Sequence, residues 1–494
     1  MACLSAKTSV RPLNTDLRGG ADESSALSGF AARWVSCLLL LACPAAALAE
    51  RDCPNAWHGA VVAVEGLVEL DTRSGWMAAH SGKVVCDGDI VRTGAFGRAT
   101  VRLPDGTLMQ IGPHSAIRIT ATESGTSSWP EVVVKVLKGV IHVITRDPRP
   151  LRYDTPFVNA GIEGTEFVVR VRPDGAAVTV IEGEVALTNA AGQASAKAGT
   201  KGTATFGTGP EVADDPAPLA TIDWMRRFPP VLEGPLPAPD AAPTGAEAPS
   251  AVFYVRRAAS RLAVGAAEEA DGDLAAALAI DPDLGEALAL QALLVLSNGE
   301  RGRALELAEA AVEAAPNVSA GWLALSHAAS AALDRTLARE SAETATRVAP
   351  AHAYAWARLA ELRFAAEDYS GARSAAAQAA RLDPRLAAGH VVLGFAHLAG
   401  DSAAQAEAAF RAAIGVDAAN PYSHLGLGLA LYRQGEKDAA RAEIEVAVGL
   451  DPTNPIIRSY AARVYDEENR DELAATVLDI AKALDAEDST GLFY

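Results

Sequence analysis

A turn mark returns every 34 residues through the C-terminal half of the chain. Pro282, Pro316, Pro350 and Pro384 keep this spacing, and the same step then reaches Ala418, Pro452 and Ala486. The residue before each mark is Asp281, Ala315, Ala349, Asp383, Asp417, Asp451 and Asp485. Counted from three residues past the mark, position 20 is Ala304, Ala338, Ala372, Ala406, Ala440 and Ala474. Position 27 is Ala311, Ala345, Ala379, Ala413, Ala447 and Ala481. A unit of this length cannot bury its apolar face alone, so neighbours must stack into an array. The array covers about 285–488, with a degenerate helical unit at 251–284. A chain of 494 residues exceeds one core, and before about residue 210 its texture changes to Gly, Val and Thr. Two architectures share one chain.

A 34-residue period closing on a proline turn resembles the tetratricopeptide repeat (TPR), a helix–turn–helix unit. Position 4 holds Trp322 and Trp356, position 7 holds Leu325, Leu359, Leu393 and Leu427, and position 8 holds Gly394 and Gly428. The resemblance implies an all-α superhelix in which small residues at positions 20 and 27 let paired helices cross closely. It also implies a concave groove lined by positions 2, 5, 9, 12 and 13 of each first helix. Those positions make Tyr354, Phe364, Phe395, Tyr422 and Tyr432 the candidate partner groove, beside Val391, Leu398, Leu425 and Leu429. The family's carboxylate-clamp subclass needs lysines there, and residues 251–494 contain two, Lys437 and Lys482. An apolar peptide or protein loop is the expected partner; the alternative is that this face packs on the β half or on a second copy. His390 and His424 stand at position 4, where tryptophan is usual. No cysteine or acidic set completes a ligand shell around them and His397, so neither metal nor cofactor is expected.

Residues 34–49 read WVSCLLLLACPAAALA and close on Ala47-Leu48-Ala49, the small-x-small pattern of an export signal. The run is shorter than the ~20 residues of a spanning helix. Cleavage after Ala49 is the leading reading of 1–49. The alternatives are a retained anchor and lipidation of Cys43, the two routes by which the chain would associate with a membrane. Cleavage leaves two cysteines, Cys53 and Cys86, in an oxidising compartment, and they are expected to pair. A loop closed over that separation contributes roughly 3–4 kcal/mol by loop-entropy arithmetic.

Residues 56 to about 207 alternate with period two at Val61–Leu70, Arg98–Leu103, Leu108–Ile111, Ala116–Ile119, Glu131–Val136, Val140–Ile144, Phe167–Val171, Ala177–Ile181 and Glu184–Leu187. Turn signals such as Pro104-Asp105-Gly106 and Pro173-Asp174-Gly175 separate them, which predicts a sandwich or barrel. Cys86-Asp-Gly-Asp-Ile-Val-Arg-Thr-Gly94 is followed by Leu103-Pro-Asp-Gly-Thr107, Gly112-Pro-His-Ser115 and Leu137-Lys-Gly139. Then come Thr155-Pro156, Ile162-Glu-Gly-Thr-Glu-Phe167 and Val180-Ile-Glu-Gly-Glu-Val185. This ordered set resembles the FecR-type domain over about 57–190, within a β-domain bounded at 50–206. The resemblance implies a jelly-roll-like all-β sandwich for protein interaction or sensing. The motif residues also have plain scaffold uses: Asp105-Gly106 suits a positive-φ turn, and Asp89 can accept from neighbouring backbone amides.

Between the halves, 207–250 holds ten prolines and reads as an extended spacer. Trp224 and Phe228 predict that a short part of it docks back onto a domain. The net charge is −19, and −14 of it lies in 251–494, from 35 acids and 21 bases. That excludes a phosphate-binding surface of clustered bases, hence nucleic acid. HExxH, GxSxG, Walker A and GxGxxG are absent, so no catalysis is expected. The expected protein is a multidomain scaffold of the periplasm or cell envelope of a Gram-negative bacterium, with a protein or peptide partner. The alternative is a relay of outer-membrane receptor occupancy, for which the family's regulators carry a sizeable cytoplasmic arm. About 33 residues precede the apolar run here.

Overall fold

The computed structural model describes Cys53 and residues 57–72, 75–122, 131–146, 151–162, 164–243 and 249–487. The apolar run at 34–49, with Cys43 and the expected cleavage site, lies outside the described residues. Short Val- and Ile-rich stretches broken by turn residues become strands: β1 (His58–Glu65), β2 (Val68–Thr72), β3 (Gly75–Ala78), β4 (Val84–Cys86), β5 (Ile90–Thr93), β6 (Arg98–Arg102), β7 (Leu108–Ile111), β8 (Ala116–Thr122) and β9 (Glu131–Ile144). They continue as β10 (Leu151–Asp154), β11 (Asn159–Ile162), β12 (Glu166–Arg172), β13 (Gly175–Glu182), β14 (Glu184–Asn189), β15 (Gly192–Lys197), β16 (Thr200–Ala204) and β17 (Glu211–Asp214).

Two sheets result, and β9 belongs to both. Its first part pairs with β8 and β10; its second part pairs with β7 and β12. The strand changes sheets at Gly139, whose φ is 92° and whose missing side chain lets Ser115 pack against it. The first sheet runs β4-β1-β6-β7-β9-β12-β13-β16-β17. The second runs β3-β2-β5-β8-β9-β10-β11-β14-β15. Alternate residues of each fill one core: Val101, Met109, Ile141, Val143 and Val169 from the first, Leu70, Val91, Ile117, Val134 and Leu187 from the second, all fully buried. This is the expected β-sandwich.

Cys53 and Cys86 are bonded with Cα atoms 5.4 Å apart, and Asp89 accepts from the Cys86 amide at 2.8 Å. Asp105 accepts from the Thr107 amide at 3.0 Å beside Gly106 at φ 87°. The β structure does not stop at 206. The β16–β17 hairpin carries it to Asp214, and a 3₁₀ helix, Pro218–Met225, follows. Proline content hid both elements, because a hairpin needs only a few paired residues and 3₁₀ turns accept proline at their start.

Among the described residues seven helix pairs follow: α1 (Ala251–Ala263), α2 (Ala267–Ile280), α3 (Gly285–Ser297), α4 (Arg301–Ala314), α5 (Ser319–Ala331), α6 (Arg335–Val348), α7 (Ala353–Ala365), α8 (Tyr369–Leu382), α9 (Ala387–Ala399), α10 (Ala403–Val416), α11 (Pro421–Arg433), α12 (Lys437–Leu450), α13 (Pro455–Glu467) and α14 (Asp471–Glu487). They form a TPR-like superhelix, and the degenerate unit at 251–284 is a full helix pair. Every first helix starts at position 1 and ends at position 13 of its unit. Ala304, Ala338, Ala372, Ala406 and Ala440 at position 20 are wholly buried, as are Ala311, Ala345, Ala379, Ala413 and Ala447 at position 27. A Cβ on Gly394 would stand 2.6 Å from the Phe410 ring, and one on Gly428 2.6 Å from Ile444.

Position 15, in the turn within each pair, is left-handed in all seven units: Gly265, Gly299, Leu333, Glu367, Asp401, Gly435 and Asn469 have φ between 57° and 89°. Leu333 is the worst suited, and at 70% exposure it gains little from packing. The left-handed backbone costs a non-glycine residue ~1–2 kcal/mol, partly offset by the unfolded-state freedom a glycine would add. Leu333→Gly should therefore stabilise the protein by about 1 kcal/mol, read as a rise of about 2 °C in thermal unfolding. A fall in melting temperature would show that Leu333 makes contacts worth more than its strain.

Candidate functional site

Alternate residues of β7, of the second part of β9 and of the first part of β12 face away from the sandwich core, yet they are as buried as those facing it. Helices α12 to α14 cover them. Val446 and Leu450 pack with Ala63 and Leu108, and Ile480 packs with Val140, Val168 and Ile181. A buried charge network runs through this seam. Arg458 of α13 donates from Nη2 to Glu166 Oε1 at 2.7 Å and from Nη1 to Oε2 at 3.0 Å. His142 Nε2 lies 3.0 Å from Oε1, and Arg146 Nη2 lies 3.6 Å from Oε2. Arg146 Nη1 also donates to Glu182 at 2.7 Å, and Arg470 donates to the Arg146 carbonyl at 2.7 Å. The side chains of Glu166 and Arg458 are both 0% exposed. Burial disfavours the Glu166 charge, but the Arg458 charge and the hydrogen bonds from His142 and Arg458 outweigh it, holding the carboxyl far below the usual range. Glu445 shifts the other way: its burial exceeds the pull of Arg441 and Arg146 and raises it.

Neither partner of this pair was singled out from sequence. Glu166 lies inside the Gly-Thr-Glu-Phe run, one of the motifs that carry the FecR-type resemblance. Arg458 occupies position 4, and that position has a repeated task. Trp322 and Trp356 donate from Nε1 to the carbonyls of Pro316 and Pro350 at 2.9 Å each. His390 and His424 set Nε2 3.3 and 3.0 Å from the carbonyls of Pro384 and Ala418. Arg458 donates from Nε to Pro452 at 2.5 Å and has two further nitrogens left for Glu166. The histidines thus replace tryptophan as turn donors. A readable signal for the seam did exist: Leu108–Ile111 and Val140–Ile144 are apolar almost without alternation, as strands covered on both faces are.

Of the candidate groove residues, Tyr354 is a correction. It is 7% exposed, with its hydroxyl 3.0 Å from His327 Nε2, so it belongs to the core of its repeats. Tyr422 is half-buried and accepts from Asn454 Nδ2 at 2.6 Å. Phe364 and Phe395 are half-buried with ring centroids 6.2 Å apart, Phe395 meets Phe410 edge-on at 5.0 Å, and half-buried Tyr432 lies under Lys437. Phe364, Phe395 and Tyr432 therefore remain as the accessible stripe.

His327 is buried throughout, and burial together with the Arg358 charge pushes its pKa well below the ordinary histidine value. Its folded pKa lies below its unfolded one, so stability is fully present above about pH 6.5 and falls as pH drops toward the folded pKa. The slope is about 1.4 kcal/mol per pH unit. His327→Gln should flatten urea-derived stability between pH 6.5 and 5.5 relative to wild type. Parallel profiles would assign the acid sensitivity to other groups.

The proline-rich segment docks back, as Trp224 and Phe228 predict, and over more of its length than a short part. Arg98 of β6 donates to the Trp224 carbonyl at 2.9 Å, and Glu65 of β1 accepts from Arg227 at 2.9 and 3.0 Å. Further on, Arg226 donates to the Ser297 carbonyl at 2.7 Å, and the Glu233 carboxylate accepts from Ser319 Oγ at 3.0 Å. His352 Nδ1 lies 2.9 Å from Ser319 Oγ and 3.6 Å from Glu233. Burial lowers the His352 pKa against the pull of Glu233 and the Pro230 carbonyl. These three side chains do not make a catalytic relay. Hydroxyl and carboxylate meet the same ring nitrogen, whereas a relay needs them on opposite ones.

Residues 89–186 match the family model described as "FecR protein". The chain thus joins a FecR-type β-domain to a TPR-like superhelix. The matched span is narrower than the 57–190 expected from the motifs. No curated protein matches the sequence. Among solved structures, the chain is similar to one from the crystal structure of the APC/C hetero-tetramer Cut9–Hcn1, at 15% identity and TM-score 0.42. That likeness covers 49% of this chain and 49% of that one, so this chain spans about half of its length. It is also similar to TTC0263, a thermophilic TPR protein in Thermus thermophilus, at 20% identity, 36% and 98% coverage and TM-score 0.34. A third likeness is to Pseudomonas aeruginosa pilF, at 19% identity, 42% and 96% coverage and TM-score 0.34. The FecR match fits a protein-interaction or regulatory role.

Proposed function

We propose that the chain is an exported scaffold of the cell envelope that recruits a protein or peptide partner through its helical groove, without catalysis. The observation carrying this reading is the stripe of Phe364, Phe395 and Tyr432, three half-buried rings on consecutive units. The FecR family is periplasmic, and a bonded Cys53–Cys86 pair suits an oxidising compartment. Aromatic anchors supply large contact area at little entropy, and losing one costs about 2 kcal/mol, roughly thirtyfold in affinity. Phe395→Ala with Tyr432→Ala should abolish partner capture from crosslinked envelopes while helical circular dichroism persists. Charge reversal at Glu436 or Asp438, both exposed, should change little. Wild-type capture by a folded double variant would move the binding surface elsewhere. The FecR match also favours a second reading, a relay of outer-membrane receptor occupancy. N-terminal sequencing separates the two: a mature start near Glu50 fits the scaffold, an intact Met1 with the apolar run retained fits the relay.

A further inference from the structure

We propose that the first helical units recognise an extended peptide of the pattern apolar-Pro-Pro-apolar-apolar-acidic, and that Phe228–Glu233 is a resident copy of this ligand held in cis. The segment reads Phe-Pro-Pro-Val-Leu-Glu. Its polar contacts trace its path. Arg226 meets the carbonyl of Ser297, the last residue of α3, while Glu233 meets Ser319, the first residue of α5, and approaches His352, which precedes α7. The segment therefore runs from the end of one first helix to the starts of the next two. A helix of this length spans about 20 Å, and seven extended proline-rich steps span about 22 Å, so the peptide crosses the row of first helices from end to end.

The side chains agree with that course. Val231 is 1% and Leu232 8% exposed, in one cluster with Leu293, Leu296, Leu323 and Tyr354, and Phe228 packs against the same cluster. Pro229 and Pro230 bring no amide hydrogens, so the backbone enters an apolar groove with fewer donors left unpaired. Beyond Glu233 the chain turns onto α1, where side chains hold every second carbonyl. Arg256 donates to Glu233 and Pro235 at 3.0 and 2.6 Å, Ser260 to Pro237, Arg261 to Pro239 and Arg257 to Ala241. Such a ladder reads an extended backbone without regard to its side chains.

The resident segment underfills its site. An open cleft of about 250 Å³ remains beside Val231 and Glu233, lined by Glu286, Asn317, Val318 and Val348. The Glu233 side chain keeps 49% of its exposure. A partner peptide that also reaches into this cleft gains contacts that the resident copy leaves unmade, and can displace it.

The test uses the full chain and a fluorescent peptide spanning residues 226–236. Phe228→Ser, Val231→Ser and Leu232→Ser together disable the resident copy and leave the groove intact. In fluorescence anisotropy this variant should bind the peptide at least about tenfold more tightly than wild type. Adding His352→Ala and Ser319→Ala should remove about tenfold again. A folded triple variant that takes up the peptide no better than wild type overturns the proposal. Should the triple variant not fold, Glu233→Ala, which removes only the carboxylate clasp, must raise peptide uptake above wild type or the proposal fails. Phe395→Ala with Tyr432→Ala should leave this binding unchanged, which separates it from the aromatic stripe of the later units.

Discussion

Replacing Arg458 with Met will destabilise the protein by about 3 kcal/mol, because it strands the Glu166 carboxylate in a seam that water does not reach. Arg146 at 3.6 Å and His142 at 3.0 Å stay to share the charge, which keeps the loss at the lower end of what breaking a buried pair costs. Glu166→Gln in the same background should recover part of that loss, since the remaining amide carries no charge to desolvate. The cycle of single and double variants in urea unfolding reads the coupling directly. If the Arg458 variant were as stable as wild type, the pair would be balanced by its own desolvation and the seam would be held by the apolar contacts of Val446, Leu450 and Ile480 and by the Arg470 hydrogen bond.

The second large effect is expected at Phe410. Its ring is fully buried between α9 and α11, over the missing side chains of Gly394 and Gly426 and against Phe395. Phe410→Ala should cost about 4 kcal/mol, from lost transfer energy plus the cavity left behind. Gly426→Ala should also destabilise wild type, because the new methyl would overlap the ring. In the Phe410→Ala background the same methyl enters the cavity, and its effect should turn favourable. This reversal of sign, measured in denaturant melts, is the sharper check. An unfavourable Gly426→Ala effect in both backgrounds would mean that the backbone itself, and not the ring, forbids a side chain there.

Much of the molecule follows from periodicity. A 34-residue spacing sets where every first helix begins, because each unit meets a copy of its own environment and the turn mark cannot drift. Alanines at positions 20 and 27 state the closeness of paired helices, and period-two runs with turn residues state the sandwich. These are local patterns, repeated or alternating along the chain, and local patterns survive in one dimension. The Cys53–Cys86 bond was also legible, since a chain with two cysteines after its apolar segment has one way to pair them.

Contacts between distant surfaces left no comparable trace. Glu166 and Arg458 stand 292 residues apart, and nothing near either one names the other. Tyr354 satisfies a groove position by count, yet its hydroxyl finds His327 on the neighbouring repeat and the ring is drawn inside. The proline-rich segment shows by composition that it is extended, but its course was set by carbonyls and carboxylates meeting Arg256, Ser319 and His352. Composition and period specify what each element is, because backbone sterics and side-chain spacing act within a few residues. Where elements meet depends on the fit of whole surfaces and on which buried charges find partners, and those terms exist only once the chain is folded.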